Sequence, residues 1–392
     1  MIFRFCFIIV LLINVLQSFS QQIIFGTNNY IEYQVGTLPI VISVPHGGNL
    51  EPLSIPDRTC NNAVNATDAY TIETAMEIKN SLFKLTGCYP HLIICHLKRN
   101  KLDCNRNSAD GACDNNEAET AWLEYHNFIT TARNTANLQY NYSTFFVDLH
   151  GHGNPIQRIE LGYLLYDDEL ELSDYVLNTT KYINYSSIKN LALSNVHNYT
   201  HSELLRGAKS FGTLLATYNF PTVPSTSIPF PGTTTNYFSG GYITANHTCY
   251  ASGVDINGVQ MELNFTGVRD TPPNRLQFAS AFSAVITDFI NIHYAINWNF
   301  CKPLSINNQA PDNKLKLYPN PVTEGNMITL ETGENGNISY DIFNTFGQKV
   351  KNGNCSNFVN KISLIDLKSG VYFIHLYPID SNKKLIGKLI IQ

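Results

Sequence analysis

The stretch 144-TFFVDLHGHGNP-155 decides how the chain before residue 300 is read. Its apolar run, broken only by Asp148, has the length of a buried strand, and it stops in His-Gly-His-Gly. Similar runs occur at 39-PIVISVP-45, 92-LIICHL-97, 161-LGYLL-165 and 259-VQMELN-264. Helical stretches separate them: 68-DAYTIETAMEIKNSLFKLTG-87, 117-EAETAWLEYHNFITTARNTAN-137 and 274-NRLQFASAFSAVITDFINIHYAI-296. In the first of these, Ile72, Ala75, Met76, Ile78, Leu82 and Leu85 recur at spacings of three and four, which is one helical face. Strands alternating with helices predict an α/β domain over 23–300, a mainly parallel or mixed sheet flanked by helices. Ligands of such sheets lie beyond the carboxyl ends of the strands. The ends of these runs are therefore where chemistry is to be sought.

Bulk properties narrow the setting. The chain has 392 residues, 44% hydrophobic and 15% charged, enough for more than one domain. Its formal charge of −5 offers no support for a nucleic-acid partner. Residues 1–20 read as a signal peptide: Arg4, an apolar run from Phe5 to Val15, then small and polar residues. That run is short for a membrane span, and no later segment approaches the ~18 apolar residues needed. Of nine cysteines, Cys6 falls in the signal, which leaves an even set suited to disulfides in an exported protein. Cys104 and Cys113 are close enough in sequence to bridge a short loop. The polar, turn-rich 302-KPLSINNQAPDNKLK-316 marks a linker, placed at 301–314. Beyond it, 315–392 consists of short β-type runs split by Gly, Asn and Pro, which predicts a small antiparallel β-sandwich.

Four strand ends carry candidate chemistry. In 41-VISVPHGG-48, His46 follows a buried run and precedes two glycines, which let backbone approach a ligand. His150 ends 144-TFFVDLH-150, and Asp148 before it can orient a histidine or pair with an arginine. Two histidines at two strand ends can share one ion, and His₂ plus a carboxylate is a common catalytic zinc set. Asp68, at the start of a helix, is a candidate third ligand, although Thr67 or Asp68 also suits an N-cap. Glu51 is a rival and Glu73 a weaker one. Glu262, in 259-VQMELNFTGVRD-270, would be desolvated and so suits a general base, unless Arg269 neutralises it. In 98-KRNKLDCNRN-107, Arg99, Asn105 and Arg106 can grip a carboxylate, and Asp103 can hold an arginine in place. Arg158 and Glu160 form either a second binding pair or a plain ion pair.

Together, Val44-Pro-His-Gly-Gly48, Thr67-Asp68, Arg99-x₃-Asp-x-Asn-Arg106, Val147-Asp-Leu-His-Gly151 and Val259-Gln-Met-Glu262 resemble the N-formylglutamate amidohydrolase family, in its motif order and over most of 38–290. The resemblance implies a fold like that of zinc carboxypeptidases, with His46, Asp68 and His150 as Zn²⁺ ligands. It also implies Glu262 as the base that activates a water, Arg99, Asn105 and Arg106 as substrate grips, and Arg106 or Arg158 as oxyanion stabiliser. His152 would support from behind. The substrate class implied is a small N-acyl amino acid or short peptide. The tail, through Tyr318-Pro-Asn-Pro321, Asn344-Thr-Phe-Gly-Gln-Lys-Val350 and Ser369-Gly-Val-Tyr-Phe373, is similar to the C-terminal sorting domain of the type IX (Por) secretion system. That resemblance implies passage across the outer membrane and secretion or surface display. Two other readings stand beside the amidohydrolase: a zinc carboxypeptidase-like peptidase acting on cell-wall or other peptides, and a non-catalytic surface binding protein.

Overall fold

A computed structural model describes residues 21–60, 63–232, 236–294, 296, 315–331, 337–345, 347–356, 359–378 and 385–392. The signal peptide 1–20 and the linker 301–314 lie outside these residues. The chain forms two compact units that divide between Pro303 and Leu304.

The first unit is built on an eight-stranded mixed sheet. In chain order its strands are β1 (Ile23–Phe25), β2 (Ile31–Gln34), β3 (Ile40–Val44), β4 (His91–Cys95), β5 (Phe145–His152), β6 (Ile159–Gly162), β7 (Thr222–Val223) and β8 (Asn257–Asn264). Their spatial order is β1-β2-β4-β3-β5-β8-β6-β7. The central four, β4-β3-β5-β8, run parallel. Toward the edges, β2 pairs antiparallel with β4, and β6 antiparallel with β8. The central strands are buried on both faces, which explains why they read as apolar runs rather than alternating ones.

One face packs Ile40, Ile42, Val44, Phe145, Val147, Val259 and Met261 against the helices Thr71–Thr86 and Pro272–Tyr294. The other packs Val41, Ile93 and Phe146 beneath the helix Asn116–Gln139. Ala75, Ile78 and Leu82 form the buried stripe of Thr71–Thr86, whereas Leu85 drifts out of it and is exposed. That helix stops at Gly87, whose φ of +80° no β-carbon favours and whose N–H reaches the Phe83 carbonyl at 2.7 Å.

The connection from β3 leads to β4 on one side, and the chain returns to β5 on the other side of β3. This reversal opens a crevice at the carboxyl ends of β3 and β5, where a parallel sheet takes its ligand. The histidines follow directly. His46 lies just past β3. The strand β5 runs on through both His150 and His152, rather than ending before them as expected.

One disulfide is described, and it corrects the expected Cys104–Cys113 bridge. Cys113 joins Cys60, with Cα atoms 5.6 Å apart, and so ties the segment before Asp68 to the loop after β4. Cys104 is instead a fully buried thiol in the core beneath that loop.

Among the described residues, the second unit has seven strands in two antiparallel sheets. Strands β9 (Lys316–Tyr318), β10 (Met327–Glu331) and β13 (Val359–Ser363) make one. Strands β11 (Ile338–Asn344), β12 (Lys349–Cys355), β14 (Gly370–Pro378) and β15 (Leu385–Ile391) make the other. Ile328, Leu330 and Ile362 from the first sheet share a core with Ile342, Ile374 and Leu389 from the second.

Candidate metal centre

Alternation along two neighbouring strands creates the site. Odd positions of β5 and β8 (Val147, Leu149, Val259, Met261) enter the core, so Asp148, His150, Gln260 and Glu262 all face the other way. The parallel register sets His150 directly opposite Glu262.

His46, Asp68 and His150 present ligand atoms within 4.8 Å of one another, and all three are buried. Asp68 Oδ2 lies 3.4 Å from His46 Nδ1 and 3.3 Å from His150 Nδ1. Each ring has a second carboxylate behind it. Asp103 Oδ1 is 2.7 Å from His46 Nε2, and Asp148 Oδ2 is 3.0 Å from His150 Nε2. A carboxylate behind an imidazole fixes the tautomer so that the other nitrogen is left as a ligand. Asp148 is itself held by the Ser43 hydroxyl, which donates to Oδ1 at 2.7 Å. Asp103 accepts the Asn105 N–H at 2.9 Å and the Arg99 Nε–H at 3.1 Å.

Asp68 does not cap the helix. The N-cap position belongs to Tyr70, and the Asp68 side chain turns inward, where Oδ2 accepts the Gly151 N–H at 3.1 Å. The two rival acids lie elsewhere: Glu51 is exposed and paired with Lys98, and Glu73 is exposed in the first turn of the helix.

The electrostatics show what the cluster lacks. Burial alone would raise the Asp68 carboxyl, but the charges and hydrogen bonds of His46 and His150 outweigh it and hold the group well below the usual carboxylate range. Burial disfavours a charged His150, yet Asp148, Asp68 and Glu262 raise its pKa well above the ordinary value. Burial pushes the Glu262 carboxyl up to about 8, with His150 pulling it down and Asp68 adding to the rise. Four carboxylates thus converge on two histidines. His46 Nδ1 is buried, faces Asp68 and has no hydrogen-bond partner among the described residues. A divalent cation fits this donor set of two imidazoles and a carboxylate, and would supply the missing charge.

The cluster forms the floor of a cavity of about 450 Å³. Arg99, Asn105 and Arg106 line it, as do Gln260, Glu262 and the segment Tyr237–Gly241. Arg99 Nη1 is 3.7 Å from Asp68 Oδ1, and Arg106 is exposed at the mouth. The Asn105 side chain is largely occupied, accepting the Ile243 N–H at 2.8 Å and donating to Gln260 at 3.4 Å.

These contacts place the remaining candidates. Arg158 does not line the cavity; it is buried, with Nε and Nη2 each 3.3 Å from Glu160 Oε1 and Nη1 on the Pro231 carbonyl. Arg269 does not neutralise Glu262 but donates to the carbonyls of Leu263, Ala69 and His152. Gly47 and Gly48 give room to Thr71 and to the His96 backbone rather than to a ligand, while Gly151 lies on the cavity wall beside the Arg269 guanidinium. His152 is a structural support: its Nε2–H donates to the Arg158 carbonyl at 2.8 Å, and its Nδ1 accepts the Asn154 N–H.

Two features escaped the sequence reading. Arg58, nearly fully buried, donates to the carbonyls of Val64, Arg99 and Asp110 and stands 3.7 Å from Asp103. The wall Tyr237–Gly241 is joined to β6 through Glu160, which accepts the Phe238 N–H at 3.2 Å. Neither has a local signal, because both arise from contacts between distant segments.

In the second unit, the motif residues close the sandwich. Asn320 accepts the Ile390 N–H at 2.9 Å and donates to the Lys388 carbonyl at 2.7 Å, which binds the entry of the unit to its last strand. Asn344 accepts the Gln348 N–H at 3.0 Å and shapes the β11–β12 turn, with Gly347 at φ +75°. No curated protein matches the chain. Among solved structures, PorZ, a surface component of the type IX secretion system of Porphyromonas gingivalis, is 21% identical over 20% of this chain and 11% of its own, with a TM-score of 0.18. An immunoglobulin-like β-sandwich protein of the DUF3244 family from Bacteroides vulgatus is 17% identical over 20% of this chain and 94% of its own, with a TM-score of 0.16. The chain thus spans about a tenth of the length of PorZ. The family model for the secretion system C-terminal sorting domain matches residues 316–392. The second unit is therefore a type IX sorting domain, which engages that secretion machinery and directs the protein to the cell surface or beyond.

Proposed function

We propose that the first unit is a zinc-dependent hydrolase that cleaves the amide bond of an N-acyl amino acid or short peptide. The observation that carries this reading is the convergence of His46 Nδ1, His150 Nδ1 and the Asp68 carboxylate, with a second buried carboxylate behind each ring. Two imidazoles and one carboxylate are a ligand set of catalytic zinc, which keeps a fourth position open. When bound, the ion polarises a carbonyl and acidifies a water at that position. Glu262 is the proton carrier: buried opposite His150, it takes a proton from the attacking water and returns it to the leaving amine. Arg99 and Arg106 bind the substrate carboxylate at the cavity wall. Asp103 and Asp148 hold the histidine rings in place. The resemblance of the strand-end motifs to N-formylglutamate amidohydrolases supports the same chemistry, and we infer the zinc-carboxypeptidase-like fold that goes with it.

The test combines metal analysis with turnover on N-formyl, N-acetyl and peptide substrates. The wild type should hold one zinc per chain and His150→Ala should lose both metal and turnover. Glu262→Gln should keep the metal and lose about 10²–10⁴-fold in rate. A purified protein without stoichiometric zinc, whose stability is untouched by chelation, contradicts the proposal.

A further inference from the structure

A second cavity of about 420 Å³ lies beside the first and shares the wall Ser239–Gly241 with it. Its size is within the ~300–1,000 Å³ range of small-molecule sites. Side chains pack directly on the backbone of this shared wall. Gly240 has φ +121°, and a β-carbon on it would meet the Leu164 side chain at 2.8 Å on the second cavity's side. A β-carbon on Gly241 would meet Asn105 at 2.4 Å on the first cavity's side. Two adjoining glycines thus let Leu164 and Asn105 pack directly on the wall between the two spaces.

The lining of this second cavity is rich in tyrosine. Tyr166, Tyr185, Tyr242 and Tyr250 come from three segments, the last two from the single stretch 242–250, and Glu169 and Asn246 stand among them. Tyr166 is 64% exposed, Tyr185 45% and Tyr250 44%. Three of these rings are left in water at one place, whereas Tyr242 is half-buried against Trp122 and His126; exposed rings with a hydroxyl at the edge mark a recognition surface. An apolar peptide side chain would call for aliphatic walls, and here Leu164 and Ala245 are the aliphatic contributors. Flat rings with hydroxyl, carboxylate and amide groups at their margins match a pyranose. Its C–H faces stack on the electron-rich ring faces, and its hydroxyls bond at the edges.

We propose that this cleft is a saccharide subsite, so that the substrate is a sugar joined through an amide to an amino acid or short peptide. Its amino-acid carboxylate would lie toward Arg99 and Arg106 and its sugar ring on the tyrosines. The substrate part of this inference rests on the hydrolase reading above; the saccharide site itself does not.

The experiment has two arms on the full-length protein. In the first, di-N-acetylchitobiose, which has no amide between sugar and amino acid, is titrated calorimetrically into wild type, Tyr166→Ala and Tyr250→Ala. Both rings are exposed, and circular dichroism checks that the variants are folded. Wild type should bind, and each variant should weaken binding about tenfold, the size of one stacked ring. In the second, hydrolysis of N-acetylmuramoyl-L-alanine is compared with that of N-acetyl-L-alanine. The sugar-bearing amide should have the higher kcat/KM, and the ratio should fall in both variants. Chitobiose that does not bind, or that binds wild type and variants alike, overturns the subsite. If chitobiose binding depends on the tyrosines while no amide is turned over, the subsite stands and the hydrolase reading fails. If amides are turned over with no preference for the sugar and chitobiose does not bind, the hydrolase stands and the subsite fails.

Discussion

His46 and His150 each turn one ring nitrogen to Asp68, while the other bonds Asp103 in His46 and faces Asp148 in His150. Removing such a backing carboxylate weakens a metal site by about 10–100-fold without touching a ligand. Asp103→Asn should therefore lower zinc affinity by that factor in a competition titration with a chelating dye, with His46 still present. An unchanged affinity would show that Asp103 serves only Arg58 and Arg99. At this scale the types of the candidate residues were legible, since histidines and acids at the ends of apolar runs stand out. Their partners were not. Nothing local distinguishes Asp68, turned inward past Tyr70, from an N-cap, nor Arg99 beside the cluster from Arg158, which sits on Glu160.

At the scale of elements, the loop after β4 carries most of what surrounds His46: Arg99, Asp103, Asn105 and Arg106. Arg58 holds its backbone, and the Cys60–Cys113 disulfide closes a sequence separation of 53 residues over it. A closed loop of that size is worth about 4 kcal/mol in the chain-entropy account. Cys60→Ser should lower the unfolding free energy by up to about that amount in denaturant titrations. If Arg99 and Arg106 grip the substrate as proposed, it should also raise KM, because the disulfide ties down the loop that carries them. Strand positions were readable to within a few residues, but β5 runs through His152 where the glycines implied a turn. Pairing with β8 over eight residues keeps it extended, and that pairing is invisible in either strand alone.

For the whole molecule, burial sets how stability depends on pH. His91, His126 and His201 are buried and their pKa values are lowered to about 4, chiefly by desolvation. In the unfolded chain they titrate near the ordinary value of about 6.5. Between these values the unfolded state binds protons that the folded state refuses, so stability falls as pH drops, by on the order of 1 kcal/mol per histidine per pH unit. Thermal melts of the first unit from pH 7 to 4 check this, and a flat profile contradicts it. Deleting residues 316–392 should leave the protein on the inner side of the outer membrane in cell fractionation, since the sorting domain is lost while the first unit keeps its own cores. The sequence by itself determined the α/β character of the first unit, the β character of the tail and its sorting motifs. Periodicity and turn residues are local, and the three tail motifs lie within one short segment. Only the tertiary structure decided the order of the strands, the disulfide partner of Cys113 and the tyrosine cleft behind Gly240. It also decided which acids face His46 and His150. Each of these depends on residues far apart in sequence meeting at the reversal between β3 and β5 or on the loops around it.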